Sequence, residues 1–306
     1  MKKITGRSAF LSILQSEGVT HLFGNPGTTE LPIMHALKEY PDIKYILGLQ
    51  EAIVVAMADG YSRASGKLSA CNVHVAPGLG NAMGAIYNAK FVGSPIIITA
   101  GQQEQGHGLM EPMLYGPLVR MAEPLVKWAT EVNRLEDLPR IMRRAAKIAL
   151  SPPTGPVFIS LPGDILNKEA KIDLGKSTRV IDTYRPSDNS IELIAKKLSK
   201  YKKPVIIAGH EVATSDAFRE ITMFAEYTGS AVYQQTVPHG SHYPSEHMAF
   251  MGTLPRLQKP TKNILENYDL LICLGCDGLR MSVWSDTEPL PSKMPIIHIG
   301  INEWEI

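Results

Sequence analysis

Two short stretches constrain this chain most. "PIIITA" (95–100) and "PVFISL" (156–161) are nearly unbroken apolar runs bounded by Gly and Pro. A strand with one wet face alternates apolar and polar residues. A continuous apolar run of this length suits a strand buried on both faces, as in a parallel sheet covered by helices on each side. "HLFG", "KYILGLQ", "LSACNVHVA" and "WATEV" supply further strands. Helical spacing fills the intervals: Phe10, Leu11, Leu14 and Val19 in "GRSAFLSILQSEGV", then "TELPIMHALKEY" with Thr28 or Thr29 as N-cap, "EAIVVAMADGYSRAS", "GLGNAMGAIYNAKFVG" and "LEDLPRIMRRAAKIALS". Strands alternating with helices predict an α/β doubly wound parallel sheet that closes near Pro162.

The same alternation resumes later, in the helix "SIELIAKKLSKY", the strand "KPVIIAG", the helix "TSDAFREITMFAEYTG", and the strands "SAVYQQT", "DLLICLGC" and "MPIIHIG". The predicted organisation is a first domain over 1–168, a polar linker over 169–189, and a second, Rossmann-like domain over 190–306. The 306 residues suffice for two domains. The closing "MPIIHIGINEWEI" reads as a strand, a turn and one helical turn, so the second domain is read as incomplete and the chain as a fragment. A net charge of +1 points to no nucleic acid or membrane surface. No leader-like apolar region follows Met1-Lys2-Lys3, and no run reaches the roughly 18 apolar residues of a membrane helix. Cys71, Cys273 and Cys276 build no disulfide framework; the C-L-G-C pair has no second pair to make a metal site and is read as buried thiols. A cytoplasmic protein is expected.

Ligands of open parallel sheets bind beyond the C-terminal strand ends. Those ends carry Asn25-Pro26-Gly27-Thr28, then Gln50-Glu51, then His74 before "APGLGNAMG", then Gly101-Gln102-Gln103. Gly78-Leu-Gly80-Asn-Ala-Met-Gly84 looks like a dinucleotide fingerprint with one extra spacer, but the next strand ends in Gln102-Gln103, with Glu104 only after it, so NAD(P) is not favoured. His74 could move a proton, since the unperturbed pKa of a histidine lies near neutrality. Glu51 is either a helix-start acid favoured by the dipole or a buried carboxyl of raised pKa facing a ligand nitrogen. "HGSHYPSEH", with His239, His242 and His247, has no spacing that matches a helical metal site.

"FGNPGTTELP", "ILGLQEAIVVAMADGYSRASGK", "HVAPGLGNAMGAIYNA" and "PIIITAGQQ" together resemble the pyrimidine-binding domain of thiamin diphosphate-dependent enzymes. The likeness is nearest to the benzoylformate decarboxylase group and more distant to the acetolactate synthases, and it continues through "EPLVKWATEV", "GPVFISLP" and "KPVIIAGHEV". It implies that Glu51 hydrogen-bonds the cofactor's aminopyrimidine and so activates the thiazolium, which then accepts electrons as CO2 leaves a 2-keto acid. It implies further that Pro26 and Gly27 lie beside the pyrimidine, Thr28 contacts substrate carboxylate, His74 carries a proton, and Gly80 and Asn81 line the pyrimidine side.

Three departures qualify the likeness. A second histidine of the benzoylformate decarboxylases aligns with Ser282, and a glutamine of the acetolactate synthases aligns with Leu114. "GHGLMEPMLYGPL" is therefore where substrate specificity is sought. The G-D-G motif that holds Mg²⁺ and the diphosphate is absent. The resemblance places that half of the site in another domain, contributed across a homodimer or homotetramer. The fragment alone is expected to be inactive. The expected activity is non-oxidative 2-keto acid decarboxylation; the alternatives are an acetolactate synthase-like carboligase and a non-catalytic nucleotide-binding module. The resemblance leaves FAD open in the second domain, but no motif in residues 190–306 demands it.

Overall fold

The computed structural model of the chain describes residues 3–180 and 184–302. They form two compact units, divided after residue 182.

The first unit runs β1 (Ile4–Thr5), α1 (Gly6–Ser16), β2 (His21–Gly24), α2 (Leu31–Ala36), β3 (Lys44–Leu47), α3 (Glu51–Ser65), β4 (Ser69–Val73), α4 (Val75–Phe91), β5 (Ile96–Gln102), α5 (Leu118–Ala122), β6 (Ala129–Glu131), α6 (Leu138–Leu150), β7 (Val157–Pro162), α7 (Gly163–Asn167) and β8 (Glu169–Ala170). Six strands form one sheet in the order β3-β2-β4-β5-β7-β6, every pair parallel. Its residues alternate between two cores. Ala70, Ile97, Val157, Ile159 and Leu161 point to the side covered by α1 and α6. Cys71, Val73, Ile96, Ile98 and Phe158 point to the side covered by α3 and α4. Burial on both faces is why β5 and β7 read as unbroken apolar runs.

Local chemistry sets several boundaries. The Thr5 hydroxyl caps α1 by accepting from Ser8 N–H. The Gln50 side chain accepts from Ile53 N–H at the start of α3, and Gly66, at φ +67°, ends that helix. The helix expected over "TELPIMHALKEY" is instead a 3₁₀ turn (Thr28–Glu30), the short α2, and a second 3₁₀ turn (Leu37–Glu39). Neither Thr28 nor Thr29 caps it: Gly27 stands at the cap position and its N–H donates to the Glu30 carboxylate.

The stretch 169–180, read as linker, is bound to the first unit. β8 pairs antiparallel with β1, and Ile172 is buried against the α1/α6 core. Glu17, itself buried, accepts from Arg143, from Arg179 and from Ser177 Oγ.

The second unit contains α8 (Asp188–Leu198), β9 (Pro204–Ala208), α9 (His210–Thr214), α10 (Phe218–Thr228), β10 (Ala231–Gln234), β11 (Phe250–Thr253), α11 (Gln258–Leu265), β12 (Leu270–Leu274) and β13 (Ile296–Ile299). Its sheet, β11-β10-β9-β12-β13, is again all parallel. β11 was not expected. The helical turn expected at the C-terminal end falls on residues 303–306, outside the described residues.

Candidate active site

The first sheet's order places a crevice. From β2 the chain steps outward to β3, then returns to place β4 on the other side of β2. The C-terminal ends of β2 and β4 therefore flank the topological switch point where such sheets take ligands. Asn25 to Glu30 follow β2, His74 follows β4, and Glu51 opens the helix after β3.

Glu51 is 7% exposed. Asn25 Nδ2 donates to its Oε1 at 3.0 Å, and Asn81 Nδ2 to its Oε2 at 2.9 Å. Burial pushes this carboxyl up, but the Asn81 amide, its own backbone N–H, the Asn25 amide and nearby His74 outweigh burial. The net displacement is below the ordinary carboxylate value. This overturns the expectation of a raised pKa: Glu51 is a held carboxylate, because three N–H donors favour the ionised form. A carboxylate offers about four lone-pair sites, so with three donors in place one site can still accept an N–H. α3 and α4 approach closely enough here that a Cβ on Gly78 would sit 3.3 Å from Glu51 Cγ.

His74 caps α4, and the next residue, Val75, has φ +43°. That conformation is strained for a β-branched side chain and costs on the order of 1–3 kcal/mol. His74 Nδ1 lies 2.7 Å from Glu30 Oε2. Glu30 is fully buried and also receives Gly27 N–H at 2.9 Å, Gly101 N–H at 2.8 Å and the Thr29 hydroxyl at 2.7 Å. Sequence reading passed over Glu30; its only visible signal was an acid three residues after a Gly/Thr turn.

The glycine-rich segment is corrected by the structure. α4 begins at Val75, so Gly78, Gly80 and Gly84 lie inside a helix and form no phosphate-cradling loop. Asn81 faces Glu51, while Gly80 borders open space. Pro26 is half-buried and Thr28 exposed in the loop after β2. The 106–118 stretch is tied to the end of β5: Gln102 Nε2 donates to Gly116 O and Gln103 Nε2 to Met113 O, at 3.0 and 2.9 Å. Leu109, Met110 and Met113 are each at least 79% exposed, and Leu114 sits at φ +69°. A cavity of about 700 Å³ between α6 and residues 171–178 carries none of these groups.

In the second unit, Ser282 is exposed and its N–H donates to Arg256 O. Cys273 and Cys276 are free and buried, and contact with Cys273 together with burial pushes the Cys276 thiol well up. Tyr243 and Glu226 engage His247. Among the described residues, no cluster of His, Cys, Asp and Glu could hold a metal ion, and no helix is long and apolar enough to cross a membrane.

Comparison with known proteins gives the family. Residues 4–113 match the family described as thiamine pyrophosphate enzyme, N-terminal TPP binding domain, and residues 191–306 match the central domain of the same enzymes. A benzoylformate decarboxylase of Pseudomonas aeruginosa is 33% identical over 305 residues, 98% of this chain and 57% of that protein. An acetolactate synthase large subunit of Haemophilus influenzae is 30% identical over 312 residues, all of this chain and 54% of that one. The structure of a thiamine diphosphate-dependent 4-hydroxybenzoylformate decarboxylase from Rhodococcus jostii RHA1 superposes with TM-score 0.92 at 32% identity, covering 99% of this chain and 57% of that one. The chain thus spans a little over half the length of these relatives. With both matches in order and both parallel sheets in place, the chain belongs to the thiamine pyrophosphate enzyme family and carries its N-terminal and central domains.

Proposed function

We propose that this chain supplies the pyrimidine-binding half of a thiamin diphosphate site that decarboxylates a 2-keto acid non-oxidatively, in the manner of benzoylformate decarboxylase. The observation that carries the reading is buried Glu51, fixed by Asn25 and Asn81 in the switch-point crevice with a lone pair to spare. When bound, the cofactor supplies the electron sink that receives the pair released with CO2. Glu51 would hold a ring nitrogen of the aminopyrimidine by a hydrogen bond and so favour activation of the cofactor. Pro26, Gly27, Gly80 and Asn81 border that ring. Thr28, exposed beside the crevice, offers its hydroxyl to the substrate carboxylate. His74 gives and takes the proton at the reacting carbon. Mg²⁺ and diphosphate ligands come from outside this chain, within a cytoplasmic homodimer or homotetramer, and the fragment alone is inactive.

An acetolactate synthase-like carboligase is the second reading, supported by relatives of that name that align along the whole chain. One assay separates the two. The natural full-length protein is given thiamin diphosphate and Mg²⁺, and CO2 and acetolactate are followed across a panel of aromatic and aliphatic 2-keto acids. The decarboxylase reading expects CO2 and aldehyde from aromatic 2-keto acids. Acetolactate from pyruvate as the main product would replace it with the carboligase. Binding of a nicotinamide dinucleotide, with no thiamin diphosphate bound and no CO2, would remove both.

A further inference from the structure

Glu30 is a fully buried carboxyl, and among the described residues its ion-pair partner is His74, not an arginine or lysine. Its oxygens are saturated by donors. Oε1 receives Gly101 N–H and the Thr29 hydroxyl; Oε2 receives Gly27 N–H and faces His74 Nδ1 at 2.7 Å. Three of these contacts, Gly101 N–H, Gly27 N–H and the Thr29 hydroxyl, are donors whatever the histidine does, and donors on a carboxyl favour its ionised form. Thr29 Oγ1 is also 3.2 Å from His74 Nδ1, but its single hydrogen is committed to Glu30 Oε1. Nδ1 is therefore surrounded by acceptors only and must itself carry the hydrogen. The neutral ring is the Nδ1–H tautomer, and the lone pair that can take or return a proton belongs to Nε2.

Two glycines make room for this arrangement. A Cβ on Gly27 would lie 2.2 Å from His74 Nδ1. A Cβ on Gly101 would lie 2.1 Å from Glu30 Oε1. The turn after β2, the end of β5 and the cap of α4 thus converge on one carboxylate, and a strained Val75 is tolerated at their junction.

We infer that Glu30 is a positioning residue that fixes His74 in the Nδ1–H tautomer and assigns proton transfer to Nε2. The arrangement follows the logic by which a third group orients a catalytic base. This inference rests on the proposed role of His74 as the proton carrier. Gln at position 30 has one oxygen and one NH2. Whichever way it turns, the NH2 meets a hydrogen donor: Gly101 N–H and the Thr29 hydroxyl on one side, Gly27 N–H and His74 on the other.

The test is the ¹⁵N spectrum of His74 in the natural full-length protein with labelled histidine, at a pH where the ring is neutral, His74 being assigned by loss of its signals in His74→Gln. The expected native signature is a protonated Nδ1 and an unprotonated Nε2. Glu30→Gln should mix or reverse the tautomers and lower CO2 release about 10-fold or more, while Glu30→Asp, which keeps the charge, should retain more of both. A native Nε2–H signature overturns the inference, and so does Glu30→Gln with the native tautomer and native turnover. If Glu30→Gln does not fold, the native spectrum still decides. A native Nδ1–H signature together with full CO2 release by His74→Ala would leave the positioning claim standing and remove the proton-carrier reading instead.

Discussion

The chain contains two parallel sheets, each with a switch point, and the groups at the two are held differently. At the first, between β2 and β4, the glycines make room for ionisable side chains: Gly27 for His74, Gly101 for Glu30, Gly78 for Glu51. At the second, between β9 and β12, glycine makes room for backbone. A Cβ on Gly209 would lie 2.1 Å from both Cys276 Cα and Gly275 O. The titratable groups differ in the same way. Glu51 and Glu30 are saturated or nearly saturated with donors. In the second unit, His242 is buried and driven down to about 4 by burial first and then by His239 and His210, so it stays neutral. His210 Nδ1 is buried without a hydrogen bond, 3.9 Å from Asp277. A shared architecture provides a crevice in principle; the residues that line it decide whether it can do chemistry.

The largest effects should come from putting a methyl group at each crevice. Gly209→Ala drives a Cβ into backbone that cannot step aside, so the second unit should lose about 3 kcal/mol or more, read as a lower urea midpoint. Gly27→Ala meets only a side chain, which can swing. Its stability should fall by about 1 kcal/mol, at the low end of overpacking costs, while CO2 release falls far more as His74 leaves its place. If the two variants lose stability equally, the contrast between the crevices is broken.

Much of this was legible in the sequence, and the misses have physical causes. All six strands of the first sheet were read from the sequence, β5 and β7 as unbroken apolar runs, and Glu51 and His74 stand at strand ends. The start of α4 was misread because "HVAPG" combines a β-branched residue, a proline and a glycine, which suggests a strand and a turn. Pro77 is instead in the first helical turn, where its missing N–H costs nothing. The segment 169–180 looks like a linker because it is polar. What holds it is Glu17, some 160 residues away in sequence. Glu30 was hidden for the same reason: two of its four partners, Gly101 and His74, come from residues that only the fold brings near. β11, in "AFMGT", has too little β-branched character to be read as a strand.

A smaller effect concerns Glu51's charge. Its native pKa is depressed, so ionisation adds stability above the unfolded value of about 4.3, and this is lost as pH falls through the native value. Asn81→Ala removes one of the donors that hold the pKa down. The variant should be about 1 kcal/mol less stable at pH 7, and the gap should close as the medium is acidified below Glu51's native pKa. A pH-independent gap would show that Asn81 acts through packing alone.

The smallest effect is at Thr28. The side chain is exposed, so Thr28→Ser should leave stability within about 0.5 kcal/mol. Its consequence is confined to the KM for bulky 2-keto acids, which should fall as the methyl is removed. An unchanged KM across the panel would take Thr28 out of the substrate site.

The central claim is that Glu51 is a held carboxylate used for cofactor activation, and Glu51→Gln in the natural full-length protein tests it most directly. Glutamine keeps the shape and can still meet Asn25 or Asn81, but it removes the charge. The account predicts a folded variant that still binds thiamin diphosphate with Mg²⁺ by calorimetry and releases CO2 about 10²- to 10⁴-fold more slowly. A variant that binds the cofactor and turns over at the native rate would contradict it, and Glu51 would revert to a helix-start acid.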